Sequence, residues 1–223
     1  MSRAKLRGQG LRARLRLMVI SDRALAAGRD WLEVMGSALA SGATAVQLRD
    51  KEATGGELHE MALGLRALSS RHGALFIVND RVDVALAAGA DGVHLGDDDL
   101  PVEVVRRYVP RDFVIGRSAD TVDEASAAEA AGADYLGVGS VFGTRTKWEV
   151  IGEVIGTERL GRVAAAVSIP VVGIGGVDAG NAGSVVRAGA AGVAVVSAIM
   201  SARDPGEATR ELLDSMSPMA DDR

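Results

Sequence analysis

Gln47, Arg49 and Lys51 take every second position of VQLRDK, residues 46–51. On a β-strand alternate side chains share one face, so an amide, a guanidinium and an ammonium stand in a row. Such a face meets either water at a sheet edge or a bound anion. Acids follow further along: Asp80 after Asn79 in IVNDR, and Asp97, Asp98 and Asp99 after His94-Leu95-Gly96. One or two carboxylates, completed by water and phosphate oxygens, suit Mg2+. SVFGTRTK carries Thr144, Thr146 and Lys147 on a glycine-bearing loop. Two hydroxyls and an ammonium suit phosphate oxygens, although the glycine-to-lysine spacing of a Walker loop is missing. Gly175 and Gly176 close VVGIGG, and Ser197 closes GVAVVS. Backbone N–H groups there offer a second anion cradle, while the glycines alone also fit a tight turn. His94 reads more simply as a hydrogen-bonded core histidine.

What must position these groups is visible as a repeat. SGATAVQLRD (41–50), AGADGVHLGD (88–97), AGADYLGVGS (131–140) and AGAAGVAVVS (188–197) each pass from small residues and glycine into a short apolar strand. The glycine suits a helix C-terminus. Between the repeats lie helix-periodic, alanine-rich stretches such as VDEASAAEAA. Strands are expected at 15–20, 44–49, 75–79, 92–96, 114–118, 135–139, 171–176 and 192–197. Strands that alternate with helices in this way predict an α/β chain folded as a single (β/α)8 TIM barrel. An open doubly wound sheet fits less well, because no glycine-rich dinucleotide turn follows the first strand. Active sites of such barrels lie at the C-terminal ends of the strands. The polar row of strand two, the acids after strands three and four, and the glycines after strand seven all fall there. Polar heads left unpaired in that mouth would cost several kcal/mol, which an anionic ligand would relieve.

The 223 residues carry a net charge of −5, 3% aromatic residues and no cysteine. That balance argues against nucleic acid or a membrane surface as partner, and it excludes disulfides and thiolate metal sites. No apolar stretch nears the roughly 18–20 residues of a membrane span. A cytoplasmic setting fits, and oligomerisation, including a homo-oligomer, stays open. Residues 1–14 are expected to form a basic, disordered tail, since six Arg or Lys and no acid occur in the first 16 residues. The barrel is expected over 15–216, with a short tail at 217–223.

QLRDK, IVNDRVDVAL, DGVHLGDDD, GRSA, GADYLGVGSVFGTRTK, VVGIGGV and VVSAI, in that order over roughly residues 15–200, resemble the thiamine-phosphate synthase family. The resemblance implies a transferase. It would join 4-amino-2-methyl-5-(diphosphooxymethyl)pyrimidine to 4-methyl-5-(2-phosphooxyethyl)thiazole, giving thiamine phosphate and diphosphate by a Mg2+-assisted dissociative displacement. It implies that Gln47, Arg49, Lys51 and Asn79 meet the pyrimidine diphosphate and that Asp80 and Asp99 hold Mg2+. Ser118, Thr144, Thr146 and Lys147 would contact diphosphate or the second substrate. Gly175 or Gly176, with Val196 and Ser197, would hold the thiazole phosphate. Arg49, Lys51, Ser118 and Lys147 would carry the catalytic step. The chain departs from the family pattern at Asp97, where glutamine is usual, and at Ser140, where proline is usual. Asp97 leaves open which acid of 97–99 meets the metal.

Other readings remain at this stage. A thiazole tautomerase-like isomerase would share the fold and the phosphate site without needing a diphosphate grip. A Schiff-base aldolase would use Lys51 or Lys147 as nucleophile. A phosphate-ligand binding barrel would turn nothing over.

Overall fold

The computed structural model describes residues 9–143 and 154–217. Eight parallel strands close into a barrel in sequence order. They are β1 (Leu17–Ile20), β2 (Ala45–Leu48), β3 (Leu75–Asn79), β4 (Gly92–Leu95), β5 (Val114–Ser118), β6 (Tyr135–Val138), β7 (Val171–Ile174) and β8 (Gly192–Val195). The helices run α1 (Gln9–Arg14), α2 (Trp31–Ala40), α3 (Gly55–His72), α4 (Val82–Ala87), α5 (Val102–Val105) and α6 (Val122–Ala130). They continue with α7 (Gly156–Ala166), α8 (Ala182–Arg187), α9 (Ser197–Met200) and α10 (Pro205–Ser215). The expected barrel is the observed one. Several strands end a residue or two earlier than the sequence suggested, so Arg49, Gly96, Gly175 and Gly176 fall in the loops that follow and Ser197 begins α9.

The repeat marks every second helix-to-strand junction, before β2, β4, β6 and β8. Gly42, Gly89, Gly132 and Gly189 have φ of 108°, 64°, 97° and 110°, a region that favours glycine. Two residues later the chain is fastened to the preceding strand. The backbone N–H groups of Thr44, Asp91, Asp134 and Ala191 donate to the carbonyls of Leu17, Phe76, Ile115 and Val171. In three of the four the side chain returns the bond. Thr44 Oγ1 accepts from Leu17 N–H at 3.0 Å, Asp91 from Phe76 N–H at 2.8 Å, and Asp134 from Ile115 N–H at 2.9 Å. Each junction therefore fixes the register of a strand pair from below the mouth. Ala191 keeps only the backbone half of the pattern.

Two apolar layers follow from the period of two along each strand. One face of the strands packs on the helices through Val19, Val46, Leu48, Phe76, Val78 and their neighbours. The other fills the barrel with Met18, Ile20, Ala45, Leu75, Ile77, Val114, Tyr135, Val172 and Ala194. Leu11 and Leu15 join this inner cluster and are 1% and 0% exposed. The expectation of a disordered tail over 1–14 therefore fails for residues 9–14. Its arginines dominate the composition, but a leucine four residues before Leu15 gives the segment one apolar edge, and that edge closes the barrel floor. Further helix starts are fixed by side chains. Thr54 with Glu57 and Thr121 with Glu124 form reciprocal capping boxes at the starts of α3 and α6, just past the ends of β2 and β5.

Candidate active site

The polar row of β2 faces inward. Gln47 follows the interior residue Ala45 by two positions and is 3% exposed, so its amide lies inside the barrel. Arg49 comes next on that face and is half-buried, and Lys51 reaches the surface. Ser21, itself buried, clips this strand end: its Oγ accepts from Arg49 N–H at 2.9 Å and donates to Arg49 O at 3.2 Å. Asp50 points the other way. It pairs with Arg23 and accepts from the N–H groups of Glu52 and Ala53, which shapes the loop carrying Lys51. Alternation thus sends one acid outward and leaves two cations at the mouth.

The acids opposite them converge. Asp80 leaves β3 with φ of 61°, a left-handed conformation rare for a residue with a side chain. Its N–H donates to His94 O at 2.8 Å, tying the turn to β4. Asp99 returns over the end of β4, where it accepts from Gly96 N–H at 2.6 Å. Burial first, and then the neighbouring Asp99, push the Asp80 carboxyl up, to about 6 in all. Lys51 and then Arg49 pull it down, which places all four groups in one electrostatic cluster. Two carboxylates within hydrogen-bonding reach of each other need a proton or a cation between them. Mg2+ fits that donor set, because it takes a carboxylate or two and leaves further positions to water and phosphate. Asp97 belongs elsewhere. It is exposed and pairs with Arg117 at 2.9 Å, away from Asp80.

Below this cluster a polar chain crosses the barrel. Tyr135, on β6 and 1% exposed, meets His94 of β4, with Tyr135 Oη 3.0 Å from Nδ1. The other nitrogen, Nε2, lies 3.2 Å from Ser118 Oγ at the end of β5. Burial raises the Tyr135 pKa above its ordinary value, and the Gln47 amide near the phenol opposes that shift. The rings fit because two positions lack a side chain. A Cβ on Gly116 would lie 2.2 Å from the Tyr135 ring, and one on Gly137 would lie 2.9 Å from His94. His94 is hydrogen-bonded, as its sequence context suggested, but one of its partners is a candidate site residue. Sequence reading missed Tyr135, Gly116 and Gly137. The available signal was a lone tyrosine among small interior residues.

The opposite side of the mouth is built differently. Gly175 and Gly176 have φ of 94° and 66°. A Cβ on Gly175 would lie 2.3 Å from Ser140 Oγ, and one on Gly176 would lie 2.1 Å from Gly143 O. The glycines are therefore demanded first by the loop after β6 lying against the loop after β7. A tight turn and a close approach both apply, and neither excludes a ligand on the free side. Ser140 Oγ is buried without a hydrogen-bond partner among the described residues. Val196 precedes α9 and Ser197 begins it, half-buried and exposed respectively. Thr144, Thr146 and Lys147 lie outside the described residues. The structure thus gathers Arg49, Lys51, Asp80 and Asp99. It joins Tyr135 to Ser118 through His94, and it sets Gly175 and Gly176 apart on another arc.

This geometry can be set against known proteins. A family model described as thiamine monophosphate synthase matches residues 17–199. The chain is 50% identical over 196 residues to a thiamine-phosphate synthase of Moorella thermoacetica, which spans 88% of this chain and 93% of that one. It is also 50% identical over 196 residues to a thiamine-phosphate synthase of Haloarcula marismortui, spanning 87% and 93% of the two chains. Among solved structures, a thiamine phosphate pyrophosphorylase from Pyrococcus furiosus superposes with a TM-score of 0.84. It shares 46% identity and covers 92% of this chain and 97% of that one.

Proposed function

The chain belongs to the thiamine monophosphate synthase family, and from that premise we propose how its own residues carry out thiamine phosphate synthesis. The substrates are a (diphosphooxymethyl)pyrimidine and a (phosphooxyethyl)thiazole. The bond from the methylene carbon to the diphosphate oxygen breaks, and the thiazole nitrogen forms a new bond to that carbon. Diphosphate departs with the electron pair. The reading rests above all on one observation: Arg49 and Lys51 share a mouth with the facing carboxylates Asp80 and Asp99.

Arg49 and Lys51 would grip the diphosphate, and charge-assisted bonds strengthen as charge builds on the leaving oxygens. Asp80 and Asp99 would hold Mg2+, which when bound supplies further neutralisation of the departing diphosphate. Asn79 and Gln47 would line the pyrimidine side, with Ser118 beside them. The backbone around Gly175, Gly176, Val196 and Ser197 would hold the thiazole phosphate. Thr144, Thr146 and Lys147 enter this reading on sequence alone. The nucleophile is the thiazole nitrogen itself, so the step requires no strong protein base. A cytoplasmic setting with small phosphorylated substrates belongs to the same proposal.

Incubating the protein with both substrates and Mg2+, and following thiamine phosphate by mass spectrometry, tests it directly. Product that depends on both substrates and on the metal is expected. Binding of both without turnover would leave a ligand-binding barrel in place of an enzyme.

A further inference from the structure

The chain of hydrogen bonds under the mouth has a direction, and burial supplies it. Tyr135 is 1% exposed, so its hydroxyl proton must find an acceptor inside the protein. His94 Nδ1 lies 3.0 Å away. An imidazole nitrogen that accepts a hydrogen bond carries no proton, so the ring proton sits on Nε2. Nε2 then donates to Ser118 Oγ at 3.2 Å. A hydroxyl that accepts from histidine keeps its own proton for another partner. Ser118 is the last residue of β5, at the C-terminal end of the barrel, where active sites of this fold lie.

The opposite tautomer would reverse every step. With the proton on Nδ1, Tyr135 would accept from His94, and its own buried O–H would lose the acceptor it has in that nitrogen. Ser118 would then donate down to Nε2 and offer the mouth only lone pairs. Gly116 and Gly137 supply the space that the two rings occupy, since a Cβ at either would meet a ring at 2.2 or 2.9 Å.

We propose that His94 is a positioning residue: locked by Tyr135 in its Nε2–H form, it commits the Ser118 hydroxyl to donating into the site. The substrate atom opposite Ser118 is then an acceptor, either a phosphate oxygen or a ring nitrogen. The proposal rests on the reading that Ser118 touches substrate, and it adds what sets that contact's polarity.

Two measurements test it. The protein has three histidines, His59, His72 and His94, so 15N-labelled imidazole resonances can be assigned by loss in His94→Gln. In substrate-free protein His94 is expected as the neutral Nε2–H tautomer, and Tyr135→Phe should turn it into a mixture of tautomers. An Nδ1–H signal in the parent protein would overturn the proposal. Kinetics then ask what the lock does. Ser118→Ala should lower kcat/KM by about 10- to 150-fold, the loss expected for one hydrogen bond to a charged acceptor. His94→Asn, too short to reach Ser118, should match it, and His94→Asn with Ser118→Ala should be no worse than Ser118→Ala alone. Gln reaches as far as Nε2, so His94→Gln combined with Tyr135→Phe should recover activity to within about threefold of Tyr135→Phe alone. Additive losses, a silent Ser118→Ala, or no recovery by glutamine would each refute the role. Failure of the parent protein to form thiamine phosphate would instead refute the proposed function, since the tautomer is read without substrate.

Discussion

The two arcs of the barrel mouth are built from different materials. The arc from β2 to β5 presents side chains: Gln47, Arg49, Lys51, Asp80, Asp99 and Ser118, held by clips such as Ser21 on Arg49 and Gly96 on Asp99. The arc from β7 to β8 presents backbone, with Gly175 and Gly176 in left-handed conformations and Ser197 opening a four-residue helix. Side chains can concentrate opposite charges, which suits a metal and a diphosphate that must be stabilised as it leaves. Backbone N–H groups carry no net charge, and they suit a phosphate that is held and never transferred. If that division is right, substitutions on one arc should affect one substrate and spare the other.

The sharpest test removes the cations. Arg49→Ala and Lys51→Ala should each weaken pyrimidine diphosphate binding by about 10- to 150-fold, from 1.5–3 kcal/mol per charge-assisted bond. Thiazole phosphate binding should change little, and calorimetric titration with each substrate reads both. Equal losses for both substrates would break the division.

Next in size comes the carboxylate pair. Asp80→Asn and Asp99→Asn should raise the Mg2+ concentration needed for half-maximal activity well above that of the parent. A proton competes with the metal, so the same requirement should rise in the parent as pH falls through about 6, where Asp80 protonates. The stability sign follows from the same shift. Between the ordinary value of 3.8 and about 6, the folded state holds a proton on Asp80 that the unfolded state lacks. Its contribution to stability therefore falls as pH rises across that window. Metal-free Asp80→Asn should be more stable than the parent at pH 8, and the difference should shrink toward pH 4. Thermal melts at both pH values check this, and a constant difference would detach Asp80 from the shift.

Much of the side-chain arc was legible from sequence because charge and alternation are written in residue types. Gln47, Arg49 and Lys51 declare a shared face in any strand, and IVND with DDD declares acids at neighbouring strand ends. The repeat announced the barrel for a similar reason: a glycine at a helix end and a β-branched run are local signals. The backbone arc was harder to read. Gly175 and Gly176 fit a turn, a ligand cradle or a close contact, and only the position of Gly143 O separates these. Tyr135 and His94 were hidden more deeply, because their partnership joins strands 41 residues apart and depends on the absence of side chains at Gly116 and Gly137. Leu11 was masked by the arginines around it.

The backbone arc gives the third prediction. Gly176→Ala places a Cβ 2.1 Å from Gly143 O at a φ of 66°. Left-handed backbone with a side chain costs about 1–2 kcal/mol before any clash is counted. Stability should fall by at least that amount in a denaturant titration, with KM for the thiazole phosphate raised and pyrimidine diphosphate affinity retained. A selective loss of the pyrimidine diphosphate would reverse the two arcs.

The smallest effect is expected at Asp97, and it sharpens the division within the charged arc itself. The family pattern has an uncharged residue at this place, and composition alone cannot say whether Asp97 or Asp99 completes the metal pair. Geometry separates them: Asp99 faces Asp80, whereas Asp97 is exposed and pairs with Arg117. An exposed ion pair is worth about 0–1 kcal/mol and is screened by salt. Asp97→Asn should therefore leave the Mg2+ requirement unchanged and alter stability by less than about 1 kcal/mol, with the difference vanishing at high ionic strength. Arg117 also donates to Gly96 O, so its guanidinium keeps a partner when Asp97 is lost, and the loop carrying Asp99 stays in place. A Mg2+ titration of Asp97→Asn beside Asp99→Asn decides the matter. A raised requirement in the first and a normal one in the second would mean that the loop rearranges on binding metal and that the pairing with Arg117 belongs only to the unliganded protein.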